Sequence, residues 1–162
     1  MEVPHSREGA QSAAATMAAV LGGEEMFDPT RRGDVVQRIV VLERRLAVQA
    51  AVDADYTTVF NKKLGLDEQG HAPPGATFIS RTMPAGVTVR HYDAREATVG
   101  VWRAGLLGLT GKGAAHPIPP ATGWFTQTLT VRWIDDGWRL AEFTQHDGPE
   151  PAAGEYGEPP QL

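Results

Sequence analysis

Apolar and polar residues alternate through Phe125, Leu129, Val131 and Trp133. Asp135-Asp136-Gly137 then supplies turn chemistry, and Trp138, Leu140 and Phe143 open a second apolar series. The segment from Gly123 to Pro149 therefore reads as two long strands joined by a tight turn. A period of two with one apolar face commits such a hairpin to a sheet that is covered on one side, because slipping the register by one residue would turn the whole apolar set to solvent. The cover for that face has to come from elsewhere in the chain.

The first half of the sequence supplies it. Ser6 is placed to cap a helix running to about Leu21, with Glu8 in the first turn where negative charge suits the helix dipole, and Gly22-Gly23 ends it. Ala10, Ala13, Ala14, Met17, Val20 and Leu21 follow helical spacing, and the alanines permit close approach to a sheet or another helix. Asp28-Pro29 is a second start signal, followed by an apolar face of Val35, Val36, Ile39, Val40 and Leu42. The helical pattern runs on to Leu64, where Gly65 terminates it, so a helical hairpin or a long helix broken near Leu42 is expected.

From Gly65 to Gly75 the composition is that of a loop, and beyond it the chain reads as strands: 76–82, 86–92, 97–109, 124–134 and 138–144, with Pro84 and Asp93-Ala94-Arg95 as breaks. Helices first and strands afterwards predict one α+β domain over residues 1–149, with the helices on one face of an antiparallel sheet and the other face free for a pocket or an interface. Gly108 to Thr122 is a glycine- and proline-rich connection of the kind in which partners bind. Residues 150–162, rich in Pro, Gly and Glu, are expected to form a disordered, solvated tail.

A chain of 162 residues is long enough to bury a core without staples, and the absence of cysteine excludes thiol catalysis, thiolate metal sites and disulfides. A formal net charge of -5 argues against a nucleic-acid partner, whose phosphates would call for Lys and Arg. There is no apolar run of membrane-spanning length, and the opening MEVPHSREGA lacks the basic-then-apolar order of a signal peptide.

Chemistry is harder to place. Gly105, Gly108, Gly111 and Lys112 suggest a phosphate loop, but five residues separate Gly105 from Gly111 where the motif needs four, and Gly113 stands where Ser or Thr belongs. Arg32-Gly33-Asp34 matches a cell-adhesion tripeptide too short to carry meaning. The five histidines, His5, His71, His91, His116 and His146, show no ligand spacing, so no metal site and no cofactor is expected. His91, Tyr92 and Asp93 at a strand end form the best acid-base candidate, whereas Asp53 and Asp55 read as solvated or capping charges. Trp102, Trp124, Trp133 and Trp138 fall in or beside the last three strands, where large aromatics more often build core than line a ligand cavity.

Taken together, REGAQSAAATM, MFDPTRR, KLGLDEQG, FISRTMPAGVTV, ATVGVWRAGLLGL and WFTQTLTVRWIDDGWRLAEFTQHDGP resemble a family of actinobacterial proteins associated with integrative conjugative elements. Those proteins resemble in turn the extracytoplasmic scaffold domains of type IV secretion and conjugation machines. The resemblance implies a nuclear-transport-factor-like, cystatin-like cone in which N-terminal helices pack on a strongly curved antiparallel sheet. It implies a non-enzymatic scaffold whose partners are other proteins of the transfer or secretion complex, allows a homo-oligomer, and provides no catalytic residues. In such families the domain follows a membrane helix, which makes this chain the soluble part of a longer, membrane-associated protein. The same cone also hosts small-molecule-binding and lyase- or isomerase-like sites. In that alternative the pocket would use His91, Tyr92, Asp93, Trp102 and Trp124.

Overall fold

The Ser6 hydroxyl accepts a hydrogen bond from the Gly9 amide at 3.0 Å and starts α1 (Arg7–Leu21), which stops at Gly22. The computed structural model describes residues 3–151. Asp28 caps α2 (Pro29–Ile39) by accepting from the amides of Thr30 and Arg31, with Pro29 at the first helical position, where its missing N–H costs nothing. Single 3-10 turns precede α2 (Glu24–Phe27) and follow it (Leu42–Arg44). Then come α3 (Arg45–Asp55) and the short α4 (Thr58–Lys63), capped by Thr57 and closed by Gly65 at φ 83.

The helical pattern is interrupted next to Leu42, as expected, and the reason is tertiary. Val40 leaves the helix to form a parallel bridge with Leu140, and the Val41 amide donates to the Leu140 carbonyl at 2.8 Å. Val40 and Val41 are buried there, whereas Leu42, which helical spacing places on the same apolar face, is exposed.

Four strands follow: β1 (Thr77–Tyr92), β2 (Glu96–Thr110), β3 (Ile118–Ile134) and β4 (Gly137–Asp147). They form one antiparallel meander in the order β1-β2-β3-β4. The hairpin between β3 and β4 turns on Asp135 and Asp136, with Ile134 opposite Gly137 and Asp135 at φ 55, a left-handed conformation that aspartate tolerates. α1 packs across all four strands, and its buried Ala10, Ala13, Ala14 and Ala18 meet inward-facing Ala97, Val99, Val101, Leu129, Val131 and Leu140 in one core. The architecture is the expected α+β arrangement, helices on one face of an antiparallel sheet.

Two expected breaks are absent. Pro84 does not divide β1, because β1 is an edge strand and the ladder shifts register between Pro84 and Gly86, so the missing N–H is not needed. Gly108 to Thr122 is not a long loop either. β2 and β3 stay paired as far as Leu109 opposite Ile118, which leaves 111–117 as the connection. Pro119 and Pro120 are tolerated because β4 begins pairing with β3 only at Phe125, so this part of β3 is an edge. The register shift between Leu107 and Leu109 lies beside them, where Pro120 crosses so close to Gly108 that a Cβ would meet its α-carbon at 2.9 Å. Of the expected tail, residues 152–162 lie outside the described residues.

Leu140 joins the core to the strap formed by Val40 and Val41. Leu140→Ala should cost about 2–5 kcal/mol in urea unfolding, through lost burial and the cavity left behind. An exposed position such as Leu46→Ala should change stability by less than about 0.5 kcal/mol.

Candidate functional site

A strand of the length of β2 reaches roughly 50 Å, whereas a helix of equal residue count such as α1 reaches about 22 Å and covers a band about 10 Å wide. One helix cannot roof such a sheet. Past Gly22 the inner face is met instead by the junction of α3 and α4, and a cavity of about 770 Å³ remains between them. Its sheet side is built from Ser80 and Thr82 of β1, Arg103, Gly105 and Leu107 of β2, Gly123 and Phe125 of β3, and Phe143 and Gln145 of β4. Its helical side comprises Gly22, Phe27, Ala51, Ala54, Asp55, Tyr56 and Phe60.

Three glycines shape this space. Gly105 and Gly123 stand opposite each other in the ladder, and the Phe125 ring lies within 3.3 Å of where either Cβ would be. With no side chains there, the ring lies down on the sheet. At Gly22 a Cβ would meet Thr82 Oγ1 at 1.7 Å, so only glycine lets α1 end against β1. The Gly22 carbonyl accepts from the Ser80 hydroxyl at 3.0 Å at that contact.

The chemically distinctive group is Arg103. It is 7% exposed, its Nη1 donates to Thr82 Oγ1 at 2.6 Å, its Nη2 donates to Gln145 Oε1, and its guanidinium lies 5.3 Å from the centre of the Phe125 ring. Its Nε has no partner, and no carboxylate pairs with it among the described residues. Burial pushes its pKa down from the ordinary arginine range, and Tyr56 opposes that shift. The second buried arginine, Arg32, is a useful contrast: its Nε reaches Asp53 Oδ1 at 2.8 Å and its Nη1 donates to the Met26 carbonyl at 2.8 Å. Tyr56 stands between the two, donating to the Leu21 carbonyl at 2.8 Å, and burial first of all raises its pKa.

None of His91, Tyr92, Asp93, Trp102 and Trp124 lines this cavity. Strand alternation is the reason. Arg103 and Phe125 point to the helices, so their neighbours Trp102 and Trp124 point to the outer face, where the two indoles stack at 4.6 Å. Trp102 Nε1 donates there to the Pro149 carbonyl at 2.7 Å. His91 and Asp93 are exposed and pair at 3.1 Å, and two backbone amides, from Arg95 and Glu96, hold the Asp93 carboxyl below its usual range. Tyr92 packs against Trp138 at the end of the core remote from the cavity. Trp138 is core, and Trp133 packs on it. Among the described residues no group of three or more His, Asp and Glu side chains is placed to hold a metal, and no helix is long and apolar enough to cross a membrane.

Sequence reasoning passed over Arg103, Gln127 and Gln145, although a signal was there. Each is a polar residue at an inward position of a strand whose inward neighbours are apolar or glycine: Val101 and Gly105, Phe125 and Leu129, and Phe143.

No family model and no curated protein matches the chain. Solved structures do share its fold. An IcmL-like type IV secretion system protein from Legionella pneumophila subsp. pneumophila superposes with a TM-score of 0.60 at 8% identity, over 91% of this chain and 96% of the other. The intermembrane space region of the chloroplast protein ARC6 superposes with a TM-score of 0.51 at 12% identity, over 88% and 98%. The domain is thus an α+β cone of the nuclear-transport-factor-like class, with helices on a curled four-stranded antiparallel sheet.

Because the Tyr56 phenol is raised above its ordinary value of 10.0, its stabilising contribution is complete below that pH and is lost as pH rises through the folded value. Ultraviolet titration should show a late phenolate transition that coincides with loss of structure. In Tyr56→Phe that transition should vanish, at a cost of about 1 kcal/mol for the lost bond to Leu21. Gly22→Ala should destabilise the fold by about 1–3 kcal/mol through its clash with Thr82, read from the urea midpoint.

Proposed function

We propose that this chain is a non-enzymatic scaffold or protein-interaction domain of a conjugative DNA-transfer or type IV secretion-like complex. In this reading it is displayed on the extracytoplasmic face of the membrane as part of a longer protein, and its partners are other proteins of that complex. The observation that carries the proposal is the cone shared, over nearly its whole length, with an IcmL-like type IV secretion system protein.

The surface supports an assembly role. The helices cover only the inner face of the sheet. The outer face presents the half-buried Trp102–Trp124 stack, with Met83 exposed opposite Ala104 in the same stretch of β1. Stacked indoles on an open sheet give a partner a large, rigid apolar anchor at low entropic cost. The outer edge of β1 adds a line of backbone donors and acceptors that no other described segment uses.

A photo-crosslinking residue at Met83, in full-length protein expressed in its source cells, should capture membrane or transfer-complex proteins. The double substitution Trp102→Ala and Trp124→Ala should reduce that capture at least about tenfold while leaving the circular dichroism of the domain unchanged. Cross-links that recover no membrane or transfer protein would overturn the reading.

A further inference from the structure

We infer that the cavity around Arg103 is a binding site for a monocarboxylate that carries an apolar chain or ring. The site and its ligand are independent of the assembly role proposed above. Among the described residues Arg103 is a charge without a counter-charge. A guanidinium more than nine-tenths buried loses most of its hydration, and proteins ordinarily offset that cost with a carboxylate, as Arg32 does with Asp53. Arg103 is offered a hydroxyl, an amide oxygen and the face of Phe125, all neutral, and its Nε is left without a partner. Of the five N–H donors of a guanidinium, only those toward Thr82 and Gln145 are engaged among the described residues.

The rest of the lining specifies what kind of anion. Leu107, Phe60, Phe125 and Phe143 are apolar, and Arg103 and Arg81 are the lining cations, of which Arg81 is an exposed outward-parity residue of β1. Asp55 stands at the helical rim and repels a second negative charge. One buried cation, apolar walls and an acidic rim favour a single negative charge with an apolar body over a phosphate dianion or a polyanion. A volume of about 770 Å³ lies in the range of small-molecule sites and admits a body of roughly ten carbon atoms. The carboxylate would accept from the free guanidinium N–H groups while Gln145 and Thr82 hold the plane of the fork, and the chain would lie along Phe125 and Leu107.

Decanoate, decanol and sodium sulfate are suitable probes for calorimetric titration of the full chain, with decanoate below its micelle threshold. Decanoate should bind one per chain, at least about tenfold tighter than decanol, since a charge-assisted hydrogen bond exceeds the 1.4 kcal/mol that a factor of ten requires. Sulfate should not compete. Arg103→Met should weaken decanoate to the level of decanol without lowering the melting temperature, because a buried unpaired charge is exchanged for an apolar side chain of similar length. Arg103→Lys should restore part of the preference for the anion. Ala121→Trp, at the exposed rim, blocks the mouth without touching the charge and should abolish binding of both probes, which provides a test even if Arg103→Met does not fold. Equal affinity for decanoate and decanol, tight decanoate binding by Arg103→Met or by Ala121→Trp, or strong competition by sulfate would each overturn the inference. So would binding that emerges only on deleting residues 152–162, which would make the chain's own acidic tail the occupant.

Discussion

Everything in this domain depends on how closely α1 lies on the sheet. Ala10, Ala14 and Ala18 have no exposed surface at all, and their single methyl groups let the helix backbone settle against Val99, Val101 and Leu129, where larger side chains would prop it away. Both ends of the helix are fixed as a consequence. At the N-terminal end the Pro4 carbonyl accepts from Trp138 Nε1 at 3.1 Å, with His5 stacked on Trp133, and at the C-terminal end Gly22 abuts Thr82. The cavity begins where that contact ends, so the same packing that builds the core sets the position of Arg103 relative to the helical wall.

What was legible in the sequence was mostly local. The caps at Ser6 and Asp28, the terminating Gly65 and the turn at Asp135-Asp136 are each decided by a few neighbouring residues, and all stand where their chemistry places them. The errors lie where a distant strand decides the outcome. Val40 and Leu42 fit a helical stripe, yet the backbone of Leu140 claims Val40 and leaves Leu42 in solvent. Pro84 and Pro119-Pro120 read as strand breakers, yet each lies where one side of the strand is unpaired, and edge status is a property of the folded sheet that no window of sequence contains.

The cavity falls between these cases. Its position could not be read, since it depends on where α1 stops relative to long strands. Its chemistry was nonetheless encoded as a parity error: Arg103 breaks the inward series Val99, Val101, Gly105 and Leu107, as Gln127 breaks that of Phe125, Leu129 and Val131. Histidines and tryptophans attract notice because of their chemistry, but parity sends Trp102 and Trp124 outward and leaves His91 at a strand end in solvent. In an alternating strand, an inward charge says more about a site than a conspicuous side chain that faces out.

The bridge between Val40 and Leu140 also makes the sheet unequal at its two margins. A foreign strand laid along β4 would be stopped halfway, at the backbone groups that Val41 and the Arg44 side chain already occupy on Leu140 and Ala141. Among the described residues β1 meets no such obstacle. A strand added along β1 would therefore find the longer open margin, whereas the same addition along β4 could not run the length of the strand.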